Sequence, residues 1–252
     1  MLNASESDRL CVVLVSTRNP LNIGAAARAM SNLGFVCLRV VNPYEASFRE
    51  ARSAVGAGPL LASAEEYKSV EEATADCSLV VGTTAGRDRE LHQPLKPLPQ
   101  AAPVIRKRLQ TGRVALLFGS EKRGLSNADL SYCHWLLHIP TRREHISMNL
   151  GQAVAVCLYE LTRAANSLRK PRKPMRAAEV NAHAKAGELD RITSMLFDAL
   201  RASGYLKQDT AAAKEEKIRR MVRRLDLSAS DAEVWLGMLR QIVWKLGRAV
   251  QT

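Results

Sequence analysis

Short apolar runs alternate with helical patterns along the first two thirds of the chain. The apolar runs are CVVLVS from residue 11, VCLRVV from residue 36, SLVVGTT from residue 78, RVALLF from residue 113 and HWLLHI from residue 134. The helical patterns are NIGAAARAMSNLG from residue 22, a stretch from about Ser47, a proline-started helix near Pro103, SNADLSYC from residue 126 and NLGQAVAVCLYELTRAANSL from residue 149. Continuous apolar strands separated by helices predict a mostly parallel sheet covered on both faces, an α/β domain.

This alternation stops at RKPRKPMR, residues 169–176, which combines two prolines with five basic residues and is typical of a linker. Beyond it the periodicity is purely helical. We therefore predict an α/β domain over residues 1–167, a basic linker over 168–176 and a small helical domain over 177–252. Two apolar stripes are predicted there: Leu189, Ile192, Leu196 and Leu200 on one helix, and Val234, Trp235, Met238, Leu239, Ile242 and Val243 on another.

A basic helical segment, EEKIRRMVRRLDL, lies between these two stripes. Its apolar residues recur at helical spacing, which predicts one core-facing side. Its basic residues occupy the remaining faces and are Lys217, Arg219, Arg220, Arg223 and Arg224. A solvated helix face and an RNA-contacting face both fit this pattern, and the sequence leaves the two interpretations open.

The charge balance favours a polyanionic partner. The 252 residues carry a formal net charge of +12 with a pI of about 9.8, which is typical of proteins that bind nucleic acid or anionic membranes. No apolar run reaches membrane-spanning length and the N-terminus lacks signal-peptide order, so we expect a cytoplasmic protein without membrane attachment. The five widely spaced cysteines contain no CxxC pair and indicate small buried side chains rather than a metal site or a disulfide framework.

Three unusual loops follow predicted strands: GTTAGRDR, GSEKRGLS and PTRREHISMN. Ligands bind outside the carboxyl ends of parallel strands, so these loops are candidates for one binding site. Gly82, Gly119 and Gly124 permit close backbone approach or positive φ, although ordinary turn chemistry explains any single glycine. The second loop has the outline of a phosphate-binding P-loop, but Leu125 stands where that loop requires lysine. The chain also lacks a GxGxxG dinucleotide motif.

The first strand runs into STRNPLNIGAAARAM. Asn19 or Asn22 is suited to cap the next helix, and Pro20 fits near its start. Arg28 stands out in an otherwise small and apolar helix, six residues after Asn22, so both side chains are candidates to face one ligand. A surface arginine lying over the sheet fits the spacing equally well.

Three segments resemble consecutive motifs of the SpoU-type RNA 2′-O-ribose methyltransferases of the SPOUT superfamily. They are NIGAAARAMSNLGF, LLFGSEKRGLSNADL and HIPTRREHISMNLGQAVAVCLYEL, which lie in the expected order within residues 11 to about 165. A catalytic domain followed by a basic linker and a helical domain, together with TTAGRDR, is most similar to the subgroup of tRNA (cytidine/uridine-2′-O-)-methyltransferases. The C-terminal similarity is one of architecture more than of motif.

The resemblance implies a deep trefoil knot at the C-terminal side of the α/β domain and S-adenosylmethionine as the cofactor, with S-adenosylhomocysteine as the product. The implied cofactor-binding residues are Thr83, Thr84, Ala85, Gly119, Ile139, Ile146, Ser147 and Met148. It also implies a homodimer in which the helix that begins at Asn149 packs against the other subunit.

Catalysis in the family centres on the arginine that matches Arg28, with Asn22, Ser147 and Glu121 as the other implied catalytic residues. Arginine normally stays protonated, so we expect Arg28 to bind a phosphate or stabilise a developing alkoxide rather than act as a simple base. The histidines offer no convincing general base, and methyl transfer from a sulfonium requires no metal.

The resemblance thus implies 2′-O-ribose methylation of tRNA, at cytidine or uridine of nucleotide 32 in the anticodon loop. Two alternatives remain: a SpoU-type enzyme that methylates ribosomal RNA, and a non-catalytic RNA-binding protein of the same fold. The second alternative is disfavoured because a non-catalytic member would be expected to lose some of the motif residues, whereas all of them are present: Asn22, Arg28, Glu121, Ser147 and Asn149.

Overall fold

The computed structural model describes residues 4–44, 58–86, 91–142, 144–167, 182–206 and 211–249. Its strands are β1 (Leu10–Val15), β2 (Cys37–Val41), β3 (Glu65–Tyr67), β4 (Leu79–Thr83), β5 (Leu95–Pro97), β6 (Val114–Phe118) and β7 (Trp135–His138). Its helices are α1 (Ala4–Asp8), α2 (Pro20–Asn32), α3 (Gly58–Ala62), α4 (Val70–Thr74), α5 (Leu98–Leu109), α6 (Asn127–Ser131), α7 (Leu150–Ser167), α8 (Ala186–Ala202), α9 (Ala211–Arg224) and α10 (Ala229–Ala249). The linker predicted over 168–176 and the start of the helix predicted from about Ser47 lie outside the described residues.

A parallel sheet organises the N-terminal domain, as the sequence predicts. The described strands form one seven-stranded sheet in the order β3-β2-β1-β6-β4-β7-β5, and every pair is parallel. The edge strands β3 and β5 have three residues each, which leaves little unpaired backbone for another chain to join. Because β1, β6, β4 and β7 are adjacent and parallel, their carboxyl ends lie side by side at one edge of the sheet.

Both faces of the sheet are buried, because successive side chains of a strand point to opposite sides. In β1, Leu10, Val12 and Leu14 join the core under α2, α5 and α7, whereas Val13 and Val15 join the core on the other face. Strand β6 alternates in the same way. Because both faces of these strands are buried, they appear in the sequence as continuous apolar runs rather than as alternating apolar and polar residues.

Helices α2 and α5 both have a proline in the first turn. The Asn19 side chain accepts a hydrogen bond from the Leu21 amide at 3.0 Å, and Pro20 occupies the first turn, so Asn19 is the cap. The start predicted near Pro103 is wrong: α5 begins at Leu98 and contains Pro103. Pro103 lies in the second turn, and Pro99, whose carbonyl loses its i+4 donor there, is exposed like Pro103 itself.

The C-terminal helices form their own core. Leu189 and Ile192 of α8 pack with Val222 of α9 and Leu239 of α10, and Leu196 and Leu200 pack against this cluster, as predicted. The stripe predicted on α10 is wider than the face that it buries. Trp235 packs against the core, but Val234, Met238 and Ile242 are exposed.

The helical domain packs directly on the sheet domain. The Ala186 amide donates to the Cys77 carbonyl at 2.8 Å, and the Gly187 amide donates to the Ala75 carbonyl at 2.9 Å. The Ala186 side chain is fully buried in the core on that face of the sheet. On α9, the Arg219 guanidinium lies 4.2 Å from the centre of the Tyr132 ring. The two domains therefore share a packed interface.

The predicted basic face of α9 is largely occupied by protein contacts. Arg223 is 1% exposed and both of its hydrogen bonds go to the Asp190 carboxylate, at 2.7 and 2.8 Å. Arg219 pairs with Glu215, and Arg220 pairs with Glu216. Of the five basic residues, Lys217 and Arg224 remain exposed. The interpretation of all five as one RNA-facing or solvated surface is therefore wrong, because packing of α9 on α8 and on the sheet domain covers one side.

Replacing Asp190 by alanine should lower the free energy of unfolding by about 3–5 kcal/mol, since it leaves the buried Arg223 charge without its partner. Urea denaturation followed by circular dichroism measures this loss. Asp198 is exposed on the same helix, so Asp198→Ala is the matched control and should change stability by about 0.5 kcal/mol or less. The double variant Asp190→Leu/Arg223→Met should recover most of the loss; equal stability of Asp190→Ala and Asp198→Ala would contradict the assignment.

Candidate functional site

A cavity of about 610 Å³ opens at the carboxyl edge of the sheet, above β4, β6 and β7. The three loops singled out from the sequence supply most of its wall, and the start of α7 closes one side. The lining includes every predicted cofactor-binding residue: Thr83, Thr84, Ala85, Gly119, Ile139, Ile146, Ser147 and Met148. Asn22 and Glu121, two of the predicted catalytic residues, line it as well.

The loop that follows β6 closes on itself through its backbone. The Gly124 amide donates to the Ser120 carbonyl at 2.8 Å, and Gly124 has a positive φ of 65°. A Cβ on Gly119 would lie 2.1 Å from the Gly124 carbonyl carbon and 2.2 Å from the Leu125 nitrogen. Glycine at 119 is therefore required by the loop's own backbone, whereas the sequence suggested close approach of a ligand.

The loop after β4 is anchored to the neighbouring strands. The Thr83 hydroxyl donates to the Leu117 carbonyl at 2.8 Å, and the Thr84 amide donates to the Leu137 carbonyl at 2.9 Å. Gly82 does not have the ligand-facing role suggested by the sequence, since a Cβ there would lie 2.8 Å from the Cys133 sulfur in the core. These anchors fix the loop between β6 and β7.

The third loop leaves β7 and returns to α7 across the cavity. The Thr141 hydroxyl donates to the Ile146 carbonyl at 3.2 Å, which joins two positions within the loop. Ile146, Ser147 and Met148 follow as lining residues, and Ile139 lies at the end of the strand. His145 is exposed and is not part of the lining.

Side chains from the three sequence motifs meet at the mouth of the cavity. The side-chain Nδ2 of Asn149 donates to the side-chain Oδ1 of Asn22 at 2.7 Å, and the side-chain Nδ2 of Asn22 donates to the Glu121 carboxylate at 3.1 Å. The same carboxylate accepts from the backbone amides of Arg18 and Asn19, at 3.4 and 3.2 Å. Sequence spacing alone does not reveal this network, because Asn22 is 99 residues from Glu121 and 127 residues from Asn149.

The network keeps Glu121 ionised. Partial burial raises the pKa of Glu121, but hydrogen bonds from Asn22 and from the backbone outweigh this effect and hold the pKa below its ordinary value. Because the pKa is lower in the folded protein, the stabilisation is present above the ordinary glutamate pKa and is lost as pH falls through the lowered one. At neutral pH Glu121 is therefore ionised and its carboxylate can accept all of these hydrogen bonds.

Arg28 lies elsewhere. It is exposed on α2 and does not line the cavity in its own chain. Six residues correspond to about 600° of rotation along a helix, so Arg28 and Asn22 point to different sides. That both residues act on one ligand stays a prediction. A ligand in this cavity meets Asn22, Glu121 and Ser147 without Arg28.

Four apolar lining residues of the strands and of α7 are not among the site residues predicted from the sequence. Phe118, Leu137, Leu150 and Ala153 are core positions of strands and of α7 that also reach the cavity.

His134 does not line the cavity and has a structural role. Burial lowers its pKa well below the ordinary histidine value, and its Nδ1 accepts from the Val80 amide at 3.1 Å.

The sequence model of the SpoU rRNA methylase family matches residues 9–159, more than half of the chain. The chain belongs to the SpoU methylase family. The match covers the whole sheet and the loops around the cavity, so the family resemblance predicted from the three motifs is confirmed. The predicted combination of a parallel α/β domain and a helical C-terminal region is confirmed too, while the trefoil knot stays a prediction.

Known SpoU relatives extend the likeness to the helical domain. TrmJ from Sodalis glossinidius, a tRNA (cytidine/uridine-2′-O-)-methyltransferase, is 34% identical over 92% of this chain and 90% of its own. The crystal structure of TrmJ from Z. mobilis ZM4 has a TM-score of 0.78 with 28% identity, covering 92% of this chain and 98% of that one. The SpoU methyltransferase AviRb from Streptomyces viridochromogenes, solved with AdoMet, has a TM-score of 0.50 with 26% identity, covering 64% and 59%.

Proposed function

We propose that this protein transfers a methyl group from S-adenosylmethionine to the ribose 2′-hydroxyl of a tRNA nucleotide. The observation that carries the proposal is the convergence of three loops on one cavity whose mouth holds the Asn22–Glu121–Asn149 network. The TrmJ relative that matches over 92% of this chain is a tRNA 2′-O-methyltransferase, which favours tRNA over ribosomal RNA as the substrate.

The cavity fits S-adenosylmethionine in size and chemistry. Its volume of about 610 Å³ lies within the range of small-molecule sites. Leu137, Ile139 and Leu150 give one part an apolar wall suited to an adenine ring. The hydroxyls and backbone of the Thr83–Ala85 and Ile146–Met148 segments supply polar groups for a ribose and an amino-acid moiety. When bound, the cofactor supplies a methyl group on a sulfonium with a good leaving group.

The residues at the mouth then have to place the nucleophile. Methyl transfer is an in-line displacement, so holding the 2′-oxygen in line with the methyl group provides much of the rate. Asn22 and Ser147 are positioned to bind the target ribose. Glu121 holds Asn22 and the loop after β1 in place and keeps this geometry rigid.

A homodimer would supply the missing arginine. Helix α7 exposes Val156 and Tyr159, and α2, which packs on α7, exposes Leu21. Joining two copies through these surfaces buries the apolar groups and brings exposed α2 residues towards the other copy. Arg28 of the partner subunit then binds the target phosphate and stabilises the negative charge that develops on the 2′-oxygen as its proton passes to solvent.

We place the methylated residue at cytidine or uridine of nucleotide 32 in the anticodon loop, as the subgroup resemblance implies. Lys122 and Arg123 are exposed at the cavity mouth, and the net charge of +12 favours an RNA polyanion. Within the described residues no helix is long and apolar enough to cross a membrane. We propose that the protein acts in the cytoplasm.

The test is ribose-methylation mapping of tRNA transcripts and of ribosomal RNA, each incubated with the purified protein and S-adenosylmethionine. Ribose methylation blocks alkaline cleavage at a single linkage, and mass spectrometry identifies the nucleotide. Labelling at pyrimidine 32 supports the proposal in full. Labelling only of ribosomal RNA supports the alternative substrate. Tight RNA binding without labelling, together with no cofactor binding by calorimetry, overturns the enzymatic assignment.

A further inference from the structure

Two cysteine side chains meet between the first two strands of the sheet. Cys11 of β1 and Cys37 of β2 are direct register partners in this parallel pair. Their sulfur atoms lie 2.6 Å apart, and the Cys37 thiol donates to the Cys11 sulfur. The spacing of the cysteines in the sequence conceals this contact, because the two residues are 26 positions apart and belong to different strands. The fold therefore brings together two thiols that the sequence predicts only as small buried side chains.

The backbone at this position has the geometry that a disulfide requires. Neighbouring strands lie about 4.8 Å apart, which falls within the Cα separation of about 4.4–6.8 Å found in disulfides. The two side chains also leave the same face of the sheet, since they meet at 2.6 Å. A sulfur–sulfur bond of about 2.05 Å therefore requires small rotations of the two side chains and no movement of the strands.

The surroundings of the pair disfavour a metal ion. By strand alternation Cys11 lies on the same face as Val13, the face on which Cys77 is buried. The buried Arg39 guanidinium lies 3.8 Å from the Cys77 sulfur and places a positive charge beside these thiols. Among the residues that the structure describes, no histidine, cysteine, aspartate and glutamate side chains are grouped to hold a metal ion. A covalent bond between two neutral sulfur atoms does not meet the repulsion from Arg39 that a bound cation would.

Cys37 is the member of the pair that solvent reaches. Cys11 is fully buried, whereas Cys37 is partly exposed and follows Val36, which is 57% exposed. The hydrogen bond with Cys11 and burial both raise the pKa of the Cys37 thiol, so little thiolate is present at neutral pH. The pair therefore stays reduced under ordinary conditions, and a small oxidant reacts first, and slowly, at Cys37.

We propose that Cys11 and Cys37 form a reversible disulfide when the protein meets hydrogen peroxide. The Cys37 thiolate attacks one peroxide oxygen, the O–O bond breaks, and a sulfenic acid and water form. The Cys11 sulfur then attacks the Cys37 sulfur, the S–O bond breaks, and the hydroxyl group leaves as a second water. The two thiols together lose two electrons and two protons, and the peroxide is reduced to two waters. A dithiol reductant restores both thiols by exchange.

The disulfide would act on stability and leave the cavity unchanged. It would close a covalent ring over residues 11–37, which contains most of β1 and all of α2. Closing a ring restricts the unfolded chain more than the folded one and so stabilises the fold. Cys11 and Cys37 form the first register pair, at the amino ends of their strands, whereas the cavity lies at the carboxyl edge. The proposal is therefore independent of the proposed function.

Peptide mapping tests whether the bond forms. The full-length protein is treated with hydrogen peroxide or with dithiothreitol, its remaining thiols are alkylated under denaturing conditions, and trypsin is added without reductant. Tryptic peptides 10–18 and 29–39 each contain one cysteine, Cys11 and Cys37 respectively. The oxidised sample should contain these two peptides joined, two hydrogens lighter than their sum, and dithiothreitol should separate them.

Three results of the mapping would overturn the proposal. They are oxidation of Cys37 to a sulfinic acid without a link, a link from either cysteine to Cys77, and a link between two chains. Electrophoresis without reductant identifies the third result, because only an intermolecular bond doubles the mass of the denatured chain.

Thermal unfolding followed by circular dichroism tests the effect of the bond. Oxidised wild type should melt about 5–10 °C above the reduced protein. Cys37→Ala should show no difference between the two treatments, because Cys11 then lacks its partner. Cys157 is buried in α7 and packs in the core on the other face of the sheet, so Cys157→Ala is the matched control and should keep the full shift. An equal shift in Cys37→Ala would show that other residues cause it, and an unchanged melting temperature in linked wild type would overturn the stabilising role.

Discussion

Arg28→Ala should reduce methyl transfer by at least about 100-fold, the loss typical of removing one group that stabilises developing charge. Its affinity for S-adenosylmethionine should stay close to that of wild type, because Arg28 does not line the cavity of its own chain. Transfer of radiolabelled methyl groups to tRNA measures the first effect, and calorimetry measures the second. Near-wild-type turnover in a purified dimer would remove Arg28 from the mechanism.

Mixed dimers test whether Arg28 acts across the subunit interface. Arg28→Ala chains are combined with chains that carry Gly119→Val in the cavity loop. If Arg28 serves the partner's cavity, the Arg28→Ala chain contributes an intact cavity and the Gly119→Val chain contributes the arginine, so the mixture should regain activity. If Arg28 acts within its own chain, every site in the mixed dimer lacks one component and the mixture stays inactive.

Gly119→Val should abolish measurable S-adenosylmethionine binding. The added carbon atoms would overlap the backbone of Gly124 and Leu125, so the loop would have to open and lose its cavity-lining shape. Calorimetry measures the affinity, and circular dichroism with sedimentation checks that the folded dimer remains.

Gly124→Ala is the matched control for this loop. Nothing lies within 4 Å of a Cβ at Gly124, although its positive φ adds strain of about 1–2 kcal/mol. Its effect on cofactor affinity should therefore be smaller than that of Gly119→Val. Unchanged affinity in Gly119→Val would show that the loop tolerates the overlap or does not contribute to the site.

The sheet and the cavity wall could be predicted from the sequence because both depend on local patterns. Continuous apolar runs identify β1, β4, β6 and β7, and in a parallel sheet the loops after them share one edge. The motifs then placed eight cofactor candidates, and all of them line one cavity. Their assignment to S-adenosylmethionine stays a prediction.

Other features depend on tertiary contacts and could not be predicted from the sequence. Periodicity places Arg223 on the polar side of α9, but only the packing of α9 against α8 shows that this position is buried beside Asp190. Glycine is required at position 119 because the Gly124 backbone lies within contact distance of a Cβ there. This contact depends on the fold of the loop, which the local sequence pattern does not predict. The direction in which Arg28 points follows from helix geometry, but the partner that it meets depends on assembly.

Glu121 joins the cavity loop to the loop that leads into α2, where its carboxylate also accepts from Asn22, the residue that binds the target ribose in the proposed function. Its backbone belongs to the loop after β6, which lines the cavity, and its carboxylate holds the amides of Arg18 and Asn19 in the loop after β1. A ligand that immobilises one loop thereby reduces the conformational entropy that the other loop still has to lose. Cofactor and RNA should consequently bind with positive cooperativity. By thermodynamic reciprocity, each should raise the affinity of the other by the same factor.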